Sequence, residues 1–488
     1  MNYPILQFLD QAKKKPEAIA LRDNTDAFLT YGELANQSVA LAAGLQKRLR
    51  RHEQPIIAIA AKNHNAHVAA MFGVFLAGYS WVPLNPRSAK SLNDKIINRL
   101  KPSLIIRDRA CADCVSDSPD TIEFSGEDSA SLEAMSAHLD SWRKPTFSSN
   151  DTMCIKLTGG TTGTPKAVAQ TQEMIATVIS DFQSVFDFKA SDVNLAVAPL
   201  SHGAFHLLLP ILAAGGCHEI MADPDTEAIL ECMERAKVSV AFMPPTLIIK
   251  LMTHPAAIKE RFTHLRHLIY GAAPMPPPQI KKARNVFGAT IAVLYGQVEA
   301  PVAISAMTAA QMEQTGKWDS VGRPCPSNDV KIASRLGEET GEIMVRGPIT
   351  ATSYISGETS PLKDGWLATG DLGHFDEDGF LYIRGRSREI IISGGFNVYP
   401  AEVERALLSV DGVDEVCVIG VADDYWGERV EAVIVSGGAD DEALSNAVRE
   451  AIGAVAVPKV YHHTDSLPRN PVGKVVRREV ALIYNLIG

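Results

Sequence analysis

Short apolar or β-branched runs, PIIAIAA, MCIKL, VNLAVA, VSVAFM, HLIY and IAVLY, alternate with helix-length amphipathic stretches from about residue 54 to about residue 300. Strands this uniformly apolar are covered on both faces, so the alternation restricts this part of the chain to layered α/β architecture. Between about 303 and 385 the helix-length stretches vanish, and Gly, Pro and Asp punctuate strand-like runs such as GEIMVRGP and GFLYIRGR. A smaller β-rich subdomain is expected there. Beyond Arg386 the pattern changes again. PAEVERALLSV reads as a helix with Pro400 in its first turn, VDEVCVIGV and RVEAVIVSG as strands, and DEALSNAVREAIG as a second helix. The expected fold is α/β: a large N-terminal domain over 1–386, built of layered α/β subdomains plus the β-rich one, and a small α+β domain over 387–488.

At 488 residues the chain is longer than one hydrophobic core usually supports, in line with that division. Hydrophobic residues make up 46% and charged residues 21%, as in ordinary globular proteins, and no segment approaches the ~20 apolar residues of a membrane span. The first residues, MNYPILQFLDQAKKKPEAIA, lack a basic stretch followed by an apolar one, so export is not expected and the cytoplasm is the default location. Net charge is −10, with 47 Lys+Arg against 57 Asp+Glu and no long basic run, which argues against nucleic acid as the main partner. Seven cysteines fit a reducing compartment. Cys111 and Cys114 form a C-x-x-C without a second Cys or His pair at ligand spacing, and read as incidental thiols.

The segment Thr158-Gly159-Gly160-Thr161-Thr162-Gly163-Thr164-Pro165-Lys166 lies between the strand-like runs MCIKL and AVAQ. Its glycines let the backbone turn N–H groups inward, its threonines add hydroxyl donors and Lys166 adds a full positive charge, a set suited to a polyphosphate. The P-loop pattern G-x-x-x-x-G-K-[ST] fails, because Pro165 precedes the lysine and Ala167 follows it. The dinucleotide spacing G-x-G-x-x-G is also absent.

This segment closely resembles the T-S-G-T-T-G-x-P-K-G-V signature of the family of acyl-CoA synthetases, aryl-CoA ligases, luciferases and peptide-synthetase adenylation domains, with Gly159 for Ser and Ala167 for Gly. The resemblance runs in family order from Thr30-Tyr31-Gly32-Glu33-Leu34 through Pro83-Leu84-Asn85-Pro86 to Lys474. It implies that Thr158, Gly160, Thr161, Thr162, Gly163 and Lys166 grip the phosphates of ATP. Tyr295-Gly296-Gln297-Val298-Glu299 resembles Y-G-x-T-E, which implies Tyr295 stacked on adenine, Gly296 allowing close approach, and Glu299, with Thr161, at Mg²⁺. Val298 departs from the usual threonine, losing a hydroxyl near the reacting phosphate. Gly271-Ala272-Ala273-Pro274 resembles the small-residue lining of the adenine pocket.

Trp366-Leu367-Ala368-Thr369-Gly370-Asp371 resembles W-x-x-T-G-D, whose aspartate accepts from both ribose hydroxyls, and Gly385-Arg386 resembles the ribose-contacting arginine. Arg388 stands where the family's hinge residue, Asp or Lys, lets the small domain rotate between two half-reactions. Ser393-Gly394-Gly395 opens the stretch that resembles the lining of the coenzyme A pantetheine tunnel. Leu467-Pro468-Arg469-Asn470-Pro471-Val472-Gly473-Lys474 matches L-P-[RK]-[NT]-x-x-G-K, which implies Lys474 as the adenylation lysine. Pro199-Leu200-Ser201-His202-Gly203 resembles P-L-[FY]-H-x-x-G and implies His202 beside the acyl pocket, with Ser201 replacing an aromatic.

By resemblance, then, Thr161, His202, Glu299 and Lys474 carry the chemistry, and a carboxylic acid, ATP, Mg²⁺ and coenzyme A are the expected partners, the apolar runs AFHLLLPILAAG and FMPPTLIIKLM hinting at a fatty or aromatic acid. Two other readings remain: loading of a carrier-protein thiol, against which PLSHGAFH offers no acidic residue for an amino group, and a non-catalytic nucleotide-binding relative, motivated by Val298 and Arg388.

Overall fold

The computed structural model describes residues 2–24, 27–49, 54–118, 120–125, 139–158, 166–334, 338–355, 360–470 and 475–486. Among these residues the strands assemble into four sheets. The largest runs from Phe28–Thr30 and Ile19–Asp23 through Cys217–Ile220, Val193–Ala196, Val240–Met243, His267–Tyr270 and Ile291–Tyr295 to Ser305–Met307 and Arg323–Pro324. Its central strands are parallel and nearly all buried, as their unbroken apolar sequences require. A second sheet orders Thr121–Phe124, Leu104–Asp108, Ile56–Ala60, Ser80–Leu84, Thr152–Leu157 and Ala167–Thr171, closing on an antiparallel pair.

Two helices fill the space between these sheets. Every residue of Asn65–Leu76 is buried, as is most of Phe205–Ala214, and Phe75 meets Phe205 at a ring-centroid distance of 6.0 Å. The same core holds Leu21 and Ile220 from the first sheet and Ile57 and Trp81 from the second. Helices apolar all round need this double cover. Surface helices carry ordinary punctuation instead: in Tyr31–Arg48, Thr30 and Glu33 form a reciprocal capping box.

The β-rich region is an antiparallel sheet of Asp329–Ala333, Gly341–Arg346, Trp366–Phe375, Leu362–Lys363 and Leu381–Arg386. Its N-terminal boundary differs from the sequence expectation. Ser305–Met307 and Arg323–Pro324 extend the large sheet, and a short helix, Ala309–Thr315, stands between them because Thr308 and Gln311 form another capping box. Beyond Arg386 the helices Pro400–Leu407 and Asp441–Ala451 and the long hairpin Val413–Asp423/Gly427–Ser436 follow the sequence pattern. A parallel strand, Val460–Thr464, and a final helix, Arg477–Ile483, complete this part. Polar contacts join it to the rest, including Arg384 to Glu402 at 2.6 Å and Arg405 to Asp319 at 3.3 Å.

Among the described residues, the hydrophobic clusters of residues 391–486 contain no side chain from before Ile391. We propose the boundary at 386/387 on that ground. Leu444→Ala, at a side chain with 0% exposure, is expected to cost about 2–5 kcal/mol. Scanning calorimetry should show one transition lowered and another unmoved; a single transition shifting as a whole would mean that the two parts unfold together.

Candidate functional site

Parallel strands bring their C-terminal ends to one edge, and loops from neighbouring strands meet there. His267–Tyr270 and Ile291–Tyr295 are such neighbours, so Gly271-Ala272-Ala273 and Tyr295-Gly296-Gln297 leave the sheet side by side. Ala272 takes the left-handed φ of +67°. A Cβ on Gly296 would lie 2.4 Å from the Val302 backbone nitrogen, so only glycine fits where the chain folds back on itself.

Asp371 faces this edge from the antiparallel sheet and is only 4% exposed. Gly370, at φ +71°, turns the chain immediately before it. Its Oδ2 accepts from the Tyr295 hydroxyl at 2.6 Å and from Gln297 Nε2 at 2.7 Å, while Arg386 Nε lies 2.8 Å from Oδ1. Arg386 stands directly opposite Asp371 in the strand register. The backbone N–H of Asp371 donates to Thr369 Oγ1 at 3.1 Å, and that hydroxyl donates to the Ile343 carbonyl at 2.8 Å. Burial, then the adjacent carboxylate, hold the Tyr295 phenol well above its ordinary pKa, so it remains a donor. Its hydroxyl is thereby committed to Asp371, which fixes the ring. A carboxylate offers about four acceptor directions, so among the described residues Oδ1 keeps one.

The hairpin of Thr152–Leu157 and Ala167–Thr171 frames the phosphate-loop sequence. Thr158 N–H donates to the Lys166 carbonyl at 2.9 Å, and Lys166 N–H donates to Thr158 Oγ1 at 3.3 Å. Gly160, Thr161, Thr162 and Gly163 lie outside the described residues, as does Lys474. Lys166 Nζ sits 4.6 Å over the Tyr354 ring, and the Tyr354 hydroxyl donates to Glu299 Oε1 at 3.3 Å. The lysine at the end of the loop and the carboxylate of the Y-G-x-x-E segment therefore meet across one aromatic side chain. Glu299 is also held through its backbone carbonyl, which accepts from Ala351 N–H at 2.7 Å. Among the described residues no group of three or more His, Cys, Asp or Glu is arranged to hold a metal. A single carboxylate in this position would suit Mg²⁺, which takes most of its ligands from water and phosphate.

Behind these groups, Gln170 Nε2 donates to the Val298 carbonyl at 2.9 Å, and Gln170 Oε1 accepts from His206 Nε2 at 3.0 Å and from the Cys154 thiol at 3.2 Å. His202 lies in the turn before helix Phe205–Ala214, with Nδ1 2.9 Å from Ser201 Oγ. Burial, helped by the charges of Lys156 and Arg87, pushes its pKa down to about 4. It is neutral at physiological pH. Ser393, Gly394 and Gly395 occupy a hairpin turn in the C-terminal sheet, with Gly394 at φ +57° and Gly395 at φ +82°. Arg388 lies in the single helical turn Ser387–Glu389 that leaves the strand ending at Arg386.

Three contributors escaped the sequence reading. Gln297 carries its own signal, as the variable position inside a quoted motif. Tyr354 and Gln170 carry none, because each acts on a segment more than fifty residues away, with separations of 55 and 128 positions.

Comparison with known proteins agrees with this geometry. The AMP-binding enzyme family matches residues 8–355, and the AMP-binding enzyme C-terminal domain matches residues 402–474. A medium/long-chain-fatty-acid–CoA ligase from Mycobacterium tuberculosis is 36% identical over 341 residues, covering 66% of this chain and 60% of that protein's length. A feruloyl-CoA synthase from an Amycolatopsis species is 30% identical over 483 residues, 96% of each chain. The fold is similar to that of an amide bond synthetase from Marinactinospora thermotolerans, with a TM-score of 0.88, 27% identity and 99% of both chains covered. With both family patterns matched in order and one relative aligned along nearly its whole length, this protein belongs to the AMP-binding enzyme family.

Proposed function

We propose that this chain joins a carboxylic acid to ATP as an acyl-AMP, with release of pyrophosphate, and then passes the acyl group to the thiol of coenzyme A. The observation that carries the reading is the buried Asp371–Tyr295–Gln297–Arg386 cluster, set on the same turn that delivers Glu299 to Tyr354 and Lys166. The family membership and the acyl-CoA-forming names of the two relatives support it.

Each described group has a definite task. Asp371 accepts a ribose hydroxyl on Oδ1 while Arg386 balances its charge, and the Tyr295 ring, pinned by its hydroxyl, offers a face to adenine. Gly271, Ala272, Ala273 and Gly296 leave room for the base. Lys166, with Thr158 and the loop residues Gly160, Thr161, Thr162 and Gly163, holds the phosphates. Glu299, with Thr161, would hold Mg²⁺, which when bound neutralises phosphate charge. Neutral His202 borders the acid. The acid's carboxylate oxygen then bonds to the α-phosphorus as the bond to pyrophosphate breaks; two anions are brought together, and a cation at Lys474 is what that step needs. In the second step a thiolate attacks the acyl carbonyl and AMP leaves, with Ser393-Gly394-Gly395 bordering the thiol's approach and Arg388 at the pivot. Among the described residues no helix is long and apolar enough to cross a membrane, in keeping with a cytoplasmic place of action.

The likeness to an amide bond synthetase supports a second reading, in which an amine takes the acyl group in place of the thiol. Pyrophosphate release with Mg-ATP and a panel of fatty and aromatic acids, run with coenzyme A, with an amine and with neither, separates the two. Acceleration by coenzyme A is expected; acceleration by the amine alone would favour the second reading, and silence with every acid would defeat both.

Two substitutions test the roles. Lys474→Ala is expected to slow adenylation by a factor on the order of 100 or more, while thioester formation from preformed acyl-AMP stays within a few-fold; equal loss of both half-reactions would remove Lys474 from its assigned step. Tyr295→Phe deletes one hydrogen bond to a buried carboxylate. A hydrogen bond to a charged group contributes about 1.5–3 kcal/mol, so KM for ATP should rise roughly tenfold or more with KM for the acid little changed. An unchanged KM for ATP would show that the Tyr295–Asp371 bond does not organise the nucleotide site.

A further inference from the structure

One buried ammonium has no part in the scheme above. Lys156 lies two residues before Thr158 on strand Thr152–Leu157 and is 6% exposed. Its Nζ donates to the Ser201 carbonyl at 2.8 Å and stands 4.3 Å from the Trp81 ring centroid and 4.9 Å from that of Phe205. Among the described residues no carboxylate pairs with it, and burial pushes its pKa down to about 8. Retaining a cation in such a place is unfavourable unless something polar meets it.

Two further polar atoms in the same neighbourhood, Trp81 Nε1 and His67 Nε2, are buried and have no hydrogen-bond partner among the described residues. The His67 ring lies 6.4 Å from that of Trp81, and the Lys156 charge bears on this histidine. The bond it does make fixes what it offers. His67 Nδ1 must donate to the Lys62 carbonyl at 2.9 Å, because that oxygen cannot donate. Burial pushes the pKa of the imidazole down to about 3, so it is neutral. His67 Nε2 is therefore a lone-pair acceptor, whereas Lys156 and Trp81 are donors.

We propose that Lys156, Trp81 and His67 form a polar subsite of the acyl pocket that takes a hydroxyl group carried by the acid away from its reacting carboxylate. The proposal rests on the ligase reading and deepens it. Its link to the acyl site is the Ser201 carbonyl, held by Lys156, whose residue also carries the hydroxyl beside His202. A hydrocarbon tail would meet none of these groups. A second carboxylate would satisfy the ammonium but set an anionic oxygen against the imidazole lone pair of His67. A hydroxyl can both accept from the ammonium or indole N–H and donate to an imidazole nitrogen. Lys156 is thus a specificity-determining residue.

Acid-dependent pyrophosphate release tests this with matched acids: octanoic and ω-hydroxyoctanoic acid, phenylpropanoic and para-hydroxyphenylpropanoic acid, and octanedioic acid for the carboxylate. For one pair the native protein should favour the hydroxylated member about tenfold or more in kcat/KM, since a site built to hydrogen-bond a hydroxyl rejects the analogue lacking it. Lys156→Met and Trp81→Phe should each bring that ratio close to one. The ratio is read within each variant, so a general loss of activity cancels, and Trp81→Phe, which keeps an aromatic ring, carries the test if Lys156→Met fails to fold. A native preference for the unsubstituted acid or for octanedioic acid, or a hydroxyl preference that survives both substitutions, would overturn the proposal while leaving the ligase intact. No release with any acid would instead sink the ligase reading, and this inference with it.

Discussion

The pairing of Asp371 with Arg386 is the constraint on which the rest of the site depends. A carboxylate 4% exposed is costly to bury without charge and hydrogen bonds around it. Arg386 supplies the charge from the facing strand, and Tyr295 and Gln297 supply the hydrogen bonds from the edge of the large sheet. One anion therefore locks the antiparallel sheet onto the parallel one. It does so at the last residue of the strand from which the chain departs toward the C-terminal part, so the exit point of that part is set by the same interaction.

The surrounding scaffold explains how polar groups can be held so deeply. Buried parallel strands and the apolar helix Asn65–Leu76 satisfy their backbone groups internally, leaving side chains to be paired one by one. Gln170 does this for three partners at once, joining the phosphate-loop hairpin, helix Phe205–Ala214 and the turn that carries Val298. Tyr354 performs a similar service at the surface, stacking beneath Lys166 while its hydroxyl reaches Glu299. The phosphate-loop hairpin, helix Phe205–Ala214 and the turn carrying Val298 and Glu299 are thereby coupled through neutral amide and phenol groups, whose bonds are cheap to satisfy and geometrically strict.

Much of the architecture was legible because it is local. Strand-length apolar runs imply burial on both faces, and Thr308 with Gln311, or Thr30 with Glu33, mark helix starts within four residues. The short helix Ala309–Thr315 is obscured in the sequence by the Gly and Pro that follow it, which suggest continuous β structure, although Thr308 and Gln311 mark its start. The final strand Val460–Thr464 was less accessible, since its pattern is half exposed and its pairing with Gly427–Ser436 is set by tertiary contact. Contiguous motifs single out Tyr295, Glu299, Asp371 and Arg386 as candidates, but not which atoms they share.

The sequence by itself determined the layered α/β order, the change of pattern after Arg386, and the short segments whose glycines, threonines and charges belong together, because those properties depend on neighbours along the chain. Only the tertiary structure decided that Tyr295 spends its hydroxyl on Asp371, that Tyr354 stands between Lys166 and Glu299, and that Lys156 is buried against Trp81 and Phe205 without a carboxylate among the described residues. The physical reason is that hydrogen bonding and desolvation act over a few ångströms of space. Residues brought that close by the packing of separate sheets leave no trace of it in their spacing.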